Sequence, residues 1–150
     1  MSQIILNRNI KTEDYDTLNK LIDRSITTVT EDMLSGETVI DDYAFYHCMS
    51  LTSVNLPNSI ISIGNSAFYE CPITSITIPN GVISMGAEVF RGCTNLVSLT
   101  VKAISPPTIG HDLLTNANRS VIYVPAESVD TYKAASGWSD YAYKIQAIPV

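Results

Sequence analysis

Charged side chains are scarce in this chain, at 16% of its 150 residues, and basic ones are scarcer still, nine Lys and Arg against fifteen Asp and Glu. The formal charge of −6 repels a polyanion, and no Lys/Arg cluster makes a local exception, so no nucleic acid is expected as a partner. Long hydrophobic runs are missing too. No stretch approaches the ~20 apolar residues that a membrane-crossing helix needs, so no membrane insertion is expected. The opening Met1-Ser2-Gln3-Ile4-Ile5-Leu6-Asn7-Arg8 has no basic segment ahead of a long apolar one and does not read as a signal peptide. Either a signal has been removed, or the protein reaches its destination by another route.

The groups that carry chemistry are equally sparse. The two histidines, His47 and His111, stand apart from any Ser or Cys that a third residue would orient for nucleophilic attack. The three cysteines are an odd number with no Cys-x-x-Cys pair, which argues against zinc. Asp41-Asp42 and Glu31-Asp32 are not set in an Asp-x-Asp-x-Asp-Gly calcium loop, and no Gly-rich phosphate loop occurs. The expectation is therefore a protein that is not an enzyme, with no cofactor and no metal.

What is present is a repeat. Ile40-Asp-Asp-Tyr43-Ala44-Phe45-Tyr-His47-Cys48, Ile63-Gly64-Asn-Ser-Ala67-Phe68-Tyr-Glu70-Cys71 and Met85-Gly86-Ala-Glu88-Val89-Phe90-Arg91-Gly92-Cys93 superimpose, with Phe and Cys spaced by 23 and then 22 residues. One residue is missing after Cys71. Each Cys is followed by a short apolar–polar alternation: Leu51 to Leu56, Ile73 to Ile78, and Leu96 to Val101. Such alternation reads as a half-buried strand. Pro57 and Pro79 close the first two strands, since proline has no N–H for a ladder. Ile122-Tyr123-Val124-Pro125 falls 23 residues beyond Leu99-Thr100-Val101, and Ile26 to Thr30 aligns upstream, which makes about five coils. No coil buries its apolar side alone. Stacking places Leu51, Val54 and Leu56 beside Ile73, Ile76 and Ile78 in a parallel sheet, with Phe and Cys filling the core behind it.

Both ends need covers. Thr12 to Arg24, with Leu18, Leu21 and Ile22 at helical spacing, reads as a capping helix. Ala126 to Ala135 reads as a second helix stopped by Gly137, which leaves Trp138, Tyr141 and Tyr143 to cover the last coil or to contact a partner. The chain divides accordingly into a 1–25 entry segment, a 26–124 solenoid and a 125–150 cap. Stacked cysteines are expected to pack as free thiols, with a Cys48–Cys71 bridge as the alternative.

Outward-facing strand positions fall into two rows: Thr28, Ser53, Ser75, Ser98 and Val121, then Thr30, Asn55, Thr77, Thr100 and Tyr123. Nearly all are short hydroxyl or amide side chains. They either simply solvate an exposed sheet or form a hydrogen-bonding face for a protein or glycan.

At the repeated segment the sequence resembles the BspA-like leucine-rich-repeat family, whose repeat runs I-G-x-x-A-F-x-x-C-x-x-L-x-x-I-x-I-P. Ile63 to Pro79 follows that pattern apart from the deletion after Cys71. Val89 stands for Ala, Lys102 for Pro and Asp41 for Gly. The resemblance implies a right-handed α/β leucine-rich-repeat solenoid with one parallel β-sheet and helical caps at both ends. It also implies a binding role in protein–protein or cell-surface recognition and adhesion. Some members are phage structural proteins, and Tyr15 to Asp23 leading into Ser25-Ile26-Thr27 is similar to their entry segment. A tail or capsid accessory protein in a virion, possible homo-oligomers included, is thus the alternative to a bacterial cell-surface or extracellular module.

Overall fold

The structure, a computed structural model, describes residues 24–150. The expected capping helix over Thr12 to Arg24 lies almost wholly outside the described residues. The strands are β1 (Thr28–Val29), β2 (Val39–Ile40), β3 (Ser53–Val54), β4 (Ser62–Ile63), β5 (Ser75–Ile78), β6 (Ser84–Met85), β7 (Ser98–Val101), β8 (Thr108–Ile109), β9 (Val121–Val124) and β10 (Ile145–Ala147). Every described pairing is parallel and joins one coil to the next.

The stacked coil is as expected, but the single sheet is not. One side carries β5, β7, β9 and β10 as a four-stranded ladder, with β1 and β3 paired separately. A second ladder of β2, β4, β6 and β8 lies on another side. Its strands are only two residues long, too short to show an alternation in sequence. The break between β3 and β5 falls where the segment after Cys71 is one residue short.

The Ala-Phe-x-x-Cys turns make a third bonded side. The N–H groups of Tyr43, Phe45 and His47 donate to the carbonyls of Asn65, Ala67 and Tyr69 at 2.8, 2.8 and 3.0 Å, and the next coils repeat the pattern. Two residues per turn take the left-handed conformation: Tyr43, Ser66, Glu88 and Asp112 at one position, and His47, Glu70, Gly92 and Asn116 at the other. That conformation costs a non-glycine residue on the order of 1 kcal/mol. Three inter-coil hydrogen bonds per turn offset it.

These columns also expose a fourth turn that its sequence disguises. Phe90 N–H donates to the Leu113 carbonyl and Gly92 N–H to that of Thr115, so Leu114 occupies the Phe position and Ala117 the Cys position. Spacing alone could have found it, because Ile109-Gly110 lies 24 residues after Met85-Gly86.

The core is one column per repeat position. Phe45, Phe68 and Phe90 are fully buried and stack face to face, with centroids 5.3 and 5.8 Å apart and planes within 6° and 4°. Cys48, Cys71 and Cys93 are buried free thiols, so the bridge is not formed. Cys71 Sγ donates to the Phe45 carbonyl of the coil before it at 3.0 Å, and Cys93 Sγ to that of Phe68 at 3.1 Å. Burial raises both thiols from their ordinary value, Cys93 to about 12 and Cys71 further. A group raised in the folded state stabilises fully below its unfolded pKa, and that contribution fades as pH climbs toward the folded one. We expect all three thiols to resist a thiol-specific reagent at pH 8 until denaturant is added, measured by absorbance. Reaction of the native protein at the rate of the unfolded one would refute this placement.

The C-terminal cap comes as expected, with helix α1 (Val129–Ala134) between 3-10 turns at Ala126–Ser128 and Trp138–Lys144. Tyr132 and Trp138 are buried edge to face, and their Oη and Nε1 donate to the carbonyls of Ala103 and Pro107, each at 2.7 Å. Tyr141 is half-buried, and its Oη receives the Leu114 N–H. Tyr143 is 79% exposed, which leaves it the second of its two expected roles, contact with a partner.

Candidate functional site

Parallel pairing fixes which side chains share a row, because a one-residue slip would turn every apolar residue outward. Thr28 pairs with Ser53, Ser75 with Ser98, and Ser98 with Val121. Thr77 pairs with Thr100, and Thr100 with Tyr123. Thr30 and Asn55 follow β1 and β3 in the same sense. The neighbours Val29, Val54, Ile76, Leu99 and Ile122 are buried, so the two rows face out. Ser53, Asn55, Ser75 and Thr77 are exposed, whereas Ser98, Thr100 and Tyr123 are half-buried. The fold thus gathers the nine residues on one side, in two parts separated by the β3–β5 break.

A groove of roughly 350 Å3 opens at that break. Thr52, Ser53, Asn55 and Asn58 line one flank, and Thr74, Ser75 and Thr77 the other. Glu31 and Lys102 complete it. Sequence reasoning placed Lys102 only as a departure from the repeat and did not foresee the groove.

A second groove, of roughly 400 Å3, runs along β2, β4 and β6. Its floor explains the glycine of the repeat. Asp42 Oδ1 accepts the Asn65 N–H at 2.7 Å, and Asn65 Oδ1 accepts the Ala87 N–H at 2.8 Å. Gly64 and Gly86 lie directly over these capped residues, where a Cβ would meet backbone atoms. The Asx ladder stops at Ala87, which offers the His111 N–H no side-chain acceptor. Gly110 leaves the same opening there. Ala87→Asn should therefore extend the ladder and stabilise the fold by about 1 kcal/mol, read from the denaturation midpoint. A loss of stability would show that the fourth turn does not repeat this geometry.

On the turn side, charged groups pair from one coil to the next. His47 Nε2 lies 3.0 Å from Glu70 Oε2, and its ring stacks on Tyr46, which stacks in turn on Tyr69. This partner of His47 was not legible in the sequence because Glu70 is one coil away. Glu88, His111 and Asp112 hold donor atoms within 4.8 Å of one another. Arg91 sits between the carboxylates, 2.7 Å from Glu88 and 3.8 Å from Asp112, and fills that centre with positive charge. Hydrogen bonds from His111 and Thr115 hold Asp112 below the usual carboxylate range. This arrangement is an ion-pair network, which a divalent cation would have to break.

Stacked parallel coils with a Phe–Cys column define a leucine-rich-repeat solenoid. More narrowly, the BspA type leucine rich repeat region matches in six copies over residues 23–135, and the chain belongs to that family. A leucine rich cell surface protein from Faecalibacterium prausnitzii is similar in structure, with 35% identity over 55% of this chain and a TM-score of 0.51. A leucine-rich repeat protein from Bacteroides ovatus is similar over 83% of it, with 25% identity and a TM-score of 0.59. The chain spans only 21% and 30% of the lengths of those two proteins. No curated protein matches it. Among the described residues, no helix is long and apolar enough to cross a membrane.

Proposed function

We propose that this chain is a non-catalytic recognition module that binds a protein or glycan at a bacterial cell surface through its polar strand side. The observation that carries this reading is the pair of in-register rows, in which hydroxyl and amide groups repeat at the parallel-strand spacing of about 4.8 Å. A rigid array of this kind presents regularly spaced donors and acceptors to a ligand that is itself repetitive. With Tyr123 as its sole aromatic, each contact is weak, and strength comes from several engaged at once. The similarity to a cell surface protein of Faecalibacterium supports the location. No observation favours the virion alternative.

The non-catalytic part rests on how the nucleophiles are held. All three thiols are buried, Cys71 and Cys93 donate to carbonyls, and both histidines pair with surface carboxylates.

Thr77→Arg or Thr100→Arg should abolish binding to an immobilised glycan and surface-protein array while leaving the melting temperature within about 2 °C, since neither side chain belongs to the core. Unchanged binding in both variants, together with loss on Tyr69→Ala, would move the site to the turn side and overturn the reading.

A further inference from the structure

The groove at the β3–β5 break has a charge that the repeat does not require. The position after the strand is Pro57, Pro79 and Pro125 in three coils, but Lys102 in the fourth. Lys102 N–H donates to the Ile78 carbonyl at 3.1 Å, a bond that proline lacks, so its backbone is held beside Pro79 and the residue lines the groove's edge. It is exposed, and no carboxylate lies within ion-pairing distance of it among the described residues. The same groove is lined by hydroxyls and amides from Ser53, Asn55, Ser75 and Thr77.

We infer that this groove binds an acidic sugar unit, a uronic or sialic acid, of a surface glycan, with Lys102 taking the carboxylate and the strand side chains taking the ring hydroxyls. This rests on the strand-side reading above and narrows it. Three features select the ligand. One unpaired ammonium matches one carboxylate. The neutral hydroxyl and amide lining matches a polyhydroxylated ring, which supplies both donors and acceptors. The exposed part of the lining offers no apolar pocket of the sort that anchors a peptide side chain. Glu31, on the β1–β3 flank, accepts from hydroxyls and repels a second anionic group, which restricts the groove to one acidic unit.

The test is NMR titration of the 15N-labelled chain with free N-acetylneuraminic acid, glucuronic acid and glucose, and with an aspartate-containing tripeptide. The acidic sugars should shift the amide signals of Ser53, Asn55, Ser75, Thr77 and Lys102, and glucose should bind at least tenfold more weakly. Lys102→Gln should weaken acidic-sugar binding at least tenfold. Lys102→Pro, which restores the residue of the other coils, should do the same while keeping the fold, checked by its unchanged spectrum elsewhere. No shifts with either acidic sugar, equal binding of glucose, or stronger binding of the tripeptide would overturn the inference. So would binding that Lys102→Gln leaves intact. Array binding that is lost on Thr77→Arg but kept by Lys102→Gln would sink the acidic-sugar inference alone. Array binding indifferent to both would sink the strand-side function with it.

Discussion

Phe68→Ala is expected to lower unfolding stability by roughly 3–5 kcal/mol, a large fraction of what a domain of this size has to lose. The Phe68 ring is fully buried and packed between two others, so its removal leaves a cavity flanked by Phe45 and Phe90 and breaks both ring contacts at once. The turn backbone around it is tied to both neighbouring coils by hydrogen bonds and cannot collapse into the space. Phe45→Ala should cost less, having one described stacking partner instead of two. Urea denaturation followed by circular dichroism measures both. A Phe68→Ala effect below about 1 kcal/mol would mean the ring is not in the core.

Gly86→Ala is expected to be nearly as damaging, at roughly 3 kcal/mol, for a different reason. Its φ is not in the left-handed region, so backbone freedom is not at issue. A Cβ there would lie 2.7 Å from the Asn65 nitrogen and 2.9 Å from its Cα. Those are backbone atoms held by the Asx ladder and cannot swing aside. The whole coil spacing would have to open, and the Asn65–Ala87 bond with it. In contrast Gly36→Ala meets nothing within 4 Å and is strained only by its positive φ, so it serves as the control. Equal effects at the two sites would show that close approach is not what glycine supplies at Gly86.

These two residues also mark what could and could not be read before the structure was known. Phe68 and the strand rows were legible because burial repeats a residue type at a fixed spacing, and the backbone register follows from that spacing. The second ladder was not legible, because Ser62-Ile63 and Ser84-Met85 are too short for a periodic pattern. The fourth turn was hidden because Leu114 and Ala117 satisfy the same core with different side chains. The capping roles of Asn65 and Asp42 were not legible, since their acceptors serve a coil about 23 residues on. Lys102 was visible as an exception, but the groove that gives it meaning arises from a deletion elsewhere in the chain. Which of Trp138, Tyr141 and Tyr143 turns inward was not legible, since spacing near a cap does not determine it.

Nitroxide labels on cysteines introduced at Thr77 and Thr100 give the sharpest test of the molecule as a whole, since the native thiols are shielded. Neighbouring coils put these two side chains side by side on adjacent strands about 5 Å apart, so the doubly labelled spectrum should be broadened almost beyond recognition relative to either single label. A doubly labelled spectrum equal to the sum of the singles would mean the coils do not lie in this register, and the columns of Phe, Cys and hydroxyl groups would not exist.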